Sequence, residues 1–75
     1  MKAIMTKYLG PTNVRGSRIK AYDVDRNSVT IPYPHDLSGE DCHRKAAKEL
    51  CNKMGWPGQL IGGATTDGYA FVFKA

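Results

Sequence analysis

The residues best suited to bind a ligand lie in a polar stretch early in the chain, Gly10-Pro11-Thr12-Asn13-Val14-Arg15-Gly16-Ser17-Arg18. Guanidinium groups form paired hydrogen bonds with phosphate or carboxylate, and glycines let backbone N–H groups approach an anion. Because further basic and aromatic residues follow, the sequence predicts one basic patch with an aromatic platform. Its predicted members are Asn13, Arg15, Ser17, Arg18, Lys20 and Tyr22. The alternative interpretation is a polar hairpin connection with no binding role.

The distribution of charge favours an anionic partner. The 75 residues include 11 Lys and Arg against 7 Asp and Glu, a net charge of +4. Five basic residues precede the first acidic residue, Asp23. An uncompensated basic segment suits nucleic acid, a nucleotide or an acidic protein surface. The competing interpretation is that the charge only keeps a small protein in solution.

Two histidines and two cysteines raise the question of metal or nucleophilic chemistry. Cys42 and Cys51 are nine residues apart on a predicted helix, which places them about 180° apart around the axis and about 13 Å apart along it. They therefore cannot form a disulfide, nor converge on one ion with His35 and His43. Adjacent helical residues do not face each other, which excludes a Cys42–His43 nucleophile pair. We predict no metal and no cofactor, and expect His43 to pack at the core edge with one ring nitrogen hydrogen-bonded.

One amphipathic helix is the clearest element of the sequence. Ser38 has the residue type of an N-cap, and Asp41 follows three residues later as in a capping box. Gly55 suits a left-handed C-terminal cap, and Pro57 prevents continuation. These signals predict a helix from Gly39 to Met54.

Alternating residues predict strands on both sides of that helix. In Ser17–Tyr22, Ile19 and Ala21 face one way and the basic residues face the other. Gly62-Gly63 within a strand suggests a bulge or the close approach of another backbone. The remaining predicted strands are Lys2–Leu9 near the sheet centre, Ser28–Tyr33, Gln59–Ile61 and, after the turn Thr66-Asp67-Gly68, Tyr69–Phe73. If this last strand lies at an edge, it could pair across a homodimer.

The predicted order is β-β-β-α-β-β. A single helix must then cover one face of an antiparallel sheet of about five strands, an α+β fold forming one domain over residues 1–75. So short a chain has little room for an enclosed active site, so we expect a non-enzymatic protein. The sequence lacks a membrane-spanning run, and its first residues lack a signal-peptide pattern, which favours a cytoplasmic location.

Three short motifs carry a resemblance to a known family: Arg15-Gly16-Ser17-Arg18, Ser28-Val29-Thr30-Ile31-Pro32 and His35-Asp36-Leu37 with the helix that follows. They resemble HicA-type toxins, small RNA-cleaving proteins with a double-stranded-RNA-binding-like fold. That family has a histidine where this chain has Arg18, and it opens with a helix where this chain opens with a strand. The resemblance therefore implies RNA binding more than RNA cleavage.

As a whole the chain resembles the short orphan proteins of phages, plasmids and other bacterial mobile elements. Its element order is also similar to that of some small phage anti-CRISPR proteins. The leading hypothesis is a protein that binds nucleic acid or a nucleic-acid-handling complex. The alternatives are a protein-binding inhibitor of a host defence system and a small ribonuclease that uses His35 or His43 as acid or base.

Overall fold

The predicted order of elements is confirmed. The computed structural model describes residues 3–13, 16–37, 39–66 and 68–73. Its fold is α+β, and its elements are β1 Ala3–Leu9, β2 Arg18–Tyr22, β3 Ser28–Pro32, α1 Glu40–Met54, β4 Leu60–Ala64 and β5 Gly68–Phe73.

The strands form one sheet in the order β3-β2-β1-β5-β4. Every neighbouring pair is antiparallel. β1 is central, as the sequence predicted. The condition for homodimer pairing through Tyr69–Phe73, a position at the sheet edge, is not met, because β5 pairs with β1 on one side and with β4 on the other. Its backbone is therefore paired along both sides, and the edges of the sheet are β3 and β4.

Side chains alternate between two unlike faces of the sheet. On the face that we call the covered face, α1 packs over the strands and Ile4, Ile19 and Phe71 are fully buried. The helix adds Leu50 and four small residues, Cys42, Ala46, Ala47 and Cys51, to the same core. Small side chains let the helix lie close to the sheet, while each large one buried contributes about 1.5–3 kcal/mol. Both cysteines are buried and free.

The two helix ends differ in how far they match the sequence signals. Gly39 occupies the position before the first turn with φ 55°, and no side chain caps that end by a hydrogen bond. The predicted N-cap, Ser38, lies outside the described residues. At the other end Gly55 is left-handed with φ 72°, and its N–H donates to the Cys51 carbonyl, which confirms the predicted cap. No described helix is long and apolar enough to cross a membrane.

Gly62 is explained by a side chain and not by a bulge. The β4–β5 register continues unbroken through Gly62 and Gly63, so the predicted bulge was wrong. A Cβ atom at Gly62 would lie 2.4 Å from Cε1 of Phe71, which fills the space above it. The hairpin turn is closed by the Thr65 N–H, which donates to the Gly68 carbonyl at 2.8 Å. Asp67 of that predicted turn lies outside the described residues.

Candidate functional site

The face of the sheet opposite the helix, which we call the open face, concentrates positive charge. The five strands contain no Asp or Glu. Lys7 follows the buried Thr6 in β1, and Arg18 and Lys20 alternate with the buried Ile19 and Ala21 in β2. Because successive residues of a strand point to opposite faces, the three basic residues lie on the open face. With Tyr22, these residues form what we call the basic patch. The sheet register thus gathers cations from two neighbouring strands on one surface.

The cations of the basic patch are close together and have no carboxylate partner among the described residues. Lys7 lies directly opposite Lys20 in the β1–β2 register. Facing residues of this kind have Cβ atoms about 4.5–5.5 Å apart, and like charges there destabilise the sheet. None of Lys7, Arg18 and Lys20 forms an ion pair with a carboxylate of the described residues. The Lys20 ammonium lies 5.8 Å from the centroid of the Tyr22 ring.

The structure brings together three of the residues that the sequence proposed as a site. Arg18, Lys20 and Tyr22 share the outer side of β2, as the alternation predicted. Lys7 was missed, although it has the same orientation as Met5, opposite to the buried Ile4 and Thr6. Only the pairing of β1 with β2 shows that Lys7 faces Lys20, and a single strand does not carry that information.

The other proposed residues lie at the end of the sheet or beyond it. Asn13 is exposed in the segment between β1 and β2. Arg15 lies outside the described residues. Ser17 has contacts within the protein: its hydroxyl is hydrogen-bonded to the Tyr8 hydroxyl at 2.8 Å, and its carbonyl accepts the Tyr33 N–H at 3.0 Å. The first bond ties the start of β2 to β1, and the second ties it to the segment after β3.

Arg18 borders a depression at this end of the sheet, which we call the arginine cleft. The cleft has a volume of about 590 Å³. The Nε atom of Arg18 is buried and has no hydrogen-bond partner among the described residues. A buried donor without an acceptor is costly, and a charged one more so. The cleft is lined mainly by Gly16, Ser17, Arg18, Pro32, Tyr33 and His35.

A second depression, the ring groove, adjoins the arginine cleft on the helix side of the sheet. Its volume is about 390 Å³, and its main lining residues are Tyr8, Ser17, Tyr33, His35, His43 and Tyr69. The Tyr33 ring stands edge-on to Tyr8 with centroids 5.8 Å apart, and His35 tilts over Tyr33 at 5.1 Å. Ser17, Tyr33 and His35 line both depressions, so the two are neighbours.

His43 is held at the floor of the ring groove by its Nδ1 atom. That atom lies 2.8 Å from the Thr6 hydroxyl, which confirms the expected hydrogen bond to one ring nitrogen. The Thr6 hydroxyl donates its one proton to the Tyr69 carbonyl at 3.3 Å. When Thr6 donates to Tyr69 it accepts from His43, and in that arrangement the imidazole proton is on Nδ1 and Nε2 is an acceptor. Burial lowers the pKa of His43, which favours this neutral form.

The Nε2 atom of His43 has no hydrogen-bond partner among the described residues. The Tyr69 ring lies beside the imidazole with centroids 4.8 Å apart. The local sequence did not indicate the ring groove, because Tyr8, Tyr33, His43 and Tyr69 come from separate elements. Within the described ranges, no three His, Cys, Asp or Glu residues converge as metal ligands would.

Comparison with protein families, with curated proteins and with solved structures finds no match. Functional inference for this chain therefore depends on its own residues and their arrangement.

Proposed function

We propose that this chain is a small, basic, non-enzymatic binding protein that contacts nucleic acid, alone or within a nucleic-acid-handling complex, through the basic patch. One observation carries the proposal: Lys7, Arg18 and Lys20 gather on the open face without a carboxylate partner in the part of the chain that the structure describes. The resemblance to short proteins of phages and mobile elements suits this role.

Electrostatics favours a polyanion over a single acidic side chain. Facing Lys7 and Lys20 repel each other in the free protein. Phosphates placed between and beside them would replace that repulsion with attraction and release the counterions condensed on the nucleic acid. Tyr22 beside Lys20 offers a ring on which a base can stack.

The test is a direct binding measurement on the purified protein. Labelled single- and double-stranded DNA and RNA are titrated at about 50 and 200 mM salt, a range over which phosphate contacts lose much of their affinity. We expect saturable binding that weakens strongly with salt. Absence of binding at the lower salt contradicts the proposal and favours the protein-binding alternative.

A double variant identifies the surface responsible. Lys7→Ala with Lys20→Ala should weaken binding and reduce the slope of log K against log salt by about 1.4–1.8 for two lost phosphate contacts. Lys45→Ala with Lys48→Ala, on the exposed side of α1, is the matched control of equal charge change. Equal effects of the two double variants would show that net charge matters and the patch does not.

A second candidate function, RNA cleavage, is favoured by one observation: His35 and His43 line the same groove. His43 Nε2 could take the proton from a 2′-hydroxyl as it attacks phosphorus, and a protonated His35 could donate one to the departing 5′ oxygen, leaving a 2′,3′-cyclic phosphate. Single-stranded RNA incubated with the protein would be shortened. Full cleavage by a His35→Ala, His43→Ala variant excludes this candidate.

A further inference from the structure

The arginine cleft and the ring groove share three lining residues, and this places two kinds of binding group near each other. Arg18 supplies a cation whose buried Nε donor has no hydrogen-bond partner among the described residues. Tyr33 and His35 supply rings, and they line both depressions. A phosphate accepts from guanidinium, whereas a base stacks on a ring. One nucleotide contains both of these parts, joined through its sugar.

The Tyr33 ring is held in a fixed position, as a stacking platform requires. Tyr33 packs edge-on against Tyr8, whose hydroxyl is tied to Ser17. The Tyr33 backbone is also bonded to Ser17, so the ring is anchored through main chain and side chain. Little conformational entropy remains to be lost by the Tyr33 ring when a base stacks on it. His35 is exposed and tilts over Tyr33, which adds a second ring at the same place.

His43 gives the groove a preference for a hydrogen-bond donor. With the proton on Nδ1, its Nε2 atom is a neutral acceptor that cannot pair with a phosphate oxygen. Amino and imino groups of bases are donors that suit it. In a duplex the Watson–Crick N–H groups are paired and both base faces are stacked, so only an unpaired nucleotide offers those donors together with a free ring face.

From this arrangement we infer that the arginine cleft and the ring groove together hold one unpaired nucleotide, with its phosphate at Arg18, its base on Tyr33 and His35, and a base N–H donating to His43 Nε2. The inference rests on the proposed function and adds its substrate class: single-stranded nucleic acid is preferred over duplex. A strand lying on the basic patch reaches the groove around the start of β2, where Arg18 follows Ser17.

The test compares single-stranded with double-stranded binding in groove variants. The probes are a labelled oligo-dT of about 12 nucleotides, within the site sizes of single-strand binders, and a duplex of the same length. His35→Ala removes an exposed ring and leaves the core intact. Because a stacked base contributes about 1–3 kcal/mol, single-strand affinity should fall about 5- to 150-fold. Duplex affinity and the salt slope should remain those of the wild type.

Two further variants complete the design. His43→Phe keeps a ring in the groove and removes the acceptor, and it should also lower single-strand affinity selectively. Ile61→Ala, an exposed apolar residue on β4 away from the groove, is the control and should change neither affinity. If His35→Ala leaves single-strand affinity unchanged, or lowers duplex affinity equally, the groove is not a nucleotide site although the basic patch remains one. If the wild type binds neither probe, the proposed function fails as well.

Discussion

Arg44 on the helix and Arg18 on the sheet carry the same charge but differ in their hydrogen-bond partners. The Arg44 guanidinium donates to the Leu60 carbonyl and to the Glu40 carboxylate, both at 2.6 Å, and lies 5.3 Å from the Phe71 ring centroid. Arg18 has a buried Nε atom without a partner in the described part of the chain. The Arg44 contacts join α1 to β4 and stabilise the fold, whereas the Arg18 Nε atom forms no such contact with the described residues.

The contrast extends to the two faces of the sheet. On the covered face the side chains are packed, and the polar Thr6 there is hydrogen-bonded. On the open face Lys7 and Lys20 are placed against each other at a cost in stability. Destabilising repulsion between like charges on one surface, in a domain otherwise well packed, is typical of a binding site. The predictions that follow separate the two faces by substitution.

The largest effect on stability is expected at Gly62, where the Phe71 ring on the covered face leaves no space for a side chain. Gly62→Ala places a methyl group 2.4 Å from Cε1 and 2.7 Å from Cδ1 of the buried Phe71 ring. The ring must shift against the core, so the free energy of unfolding should fall by about 3 kcal/mol. Gly63→Ala is the matched control, because a Cβ there meets nothing within 4 Å. Urea denaturation of both variants tests the difference, and equal stabilities would contradict the account of Phe71.

Arg44→Ala should come next in size. It removes a charge-assisted hydrogen bond to Leu60 and the contact with Phe71, and we expect a loss of about 2 kcal/mol in the free energy of unfolding. Nucleic-acid affinity should stay within about twofold of the wild-type value, because Arg44 lies on the helix side of the sheet and a charge outside the interface contributes little. Arg18→Ala should show the reverse pattern in the same two assays, with stability retained and affinity lost. A stability loss of similar size in both variants would show that Arg18, like Arg44, stabilises the fold.

Lys7→Thr should give a smaller change of opposite sign. Threonine favours strands, and its introduction removes the repulsion between facing lysines, so stability should rise by roughly 0.2–1 kcal/mol at low salt. Affinity for nucleic acid should fall in the same variant. Thermal unfolding and oligonucleotide titration at about 50 mM salt measure the two effects. A destabilised Lys7→Thr protein would show that Lys7 has a structural role.

The smallest effect concerns pH and His43. Burial lowers the pKa of His43 in the folded protein, while the unfolded chain takes up that proton near pH 6.5. His43 therefore does not lower the free energy of unfolding above that pH, and it lowers it increasingly as pH falls from about 6.5 toward the folded pKa. Urea midpoints at about pH 7.5 and 5.5 should differ more for the wild type than for His43→Phe. An unchanged pH dependence in the variant would contradict a neutral, partly buried imidazole at His43.

Structural features that depend only on residues close together in the sequence were predicted correctly. The alternation of Ile19 and Ala21 with Arg18 and Lys20 correctly predicted the two faces of β2, because residues two apart on a strand always share a face. Gly55 correctly predicted the helix end, since a left-handed residue at that position strongly favours glycine. Both signals act within one element and need no knowledge of the rest of the chain.

Features that depend on distant pairing were missed or wrong. The position of β5 beside β1 cannot be deduced from its own residues, and Gly62 could not be linked to Phe71 without the β4–β5 register. The same limitation applies to the site. Lys7 joins Lys20 only through the β1–β2 register, and the ring groove gathers side chains from four separate parts of the chain.

The most direct test of the central claim is to follow backbone amide NMR signals while an oligo-dT of about 12 nucleotides is added. The proposed interface predicts shifts centred on Lys7, Arg18 and Lys20, diminishing across β4 and the exposed side of α1. Shifts confined to the helix side around Lys45 and Lys48, or no shifts at concentrations where binding is measured, would contradict the assignment of the open face as the binding surface.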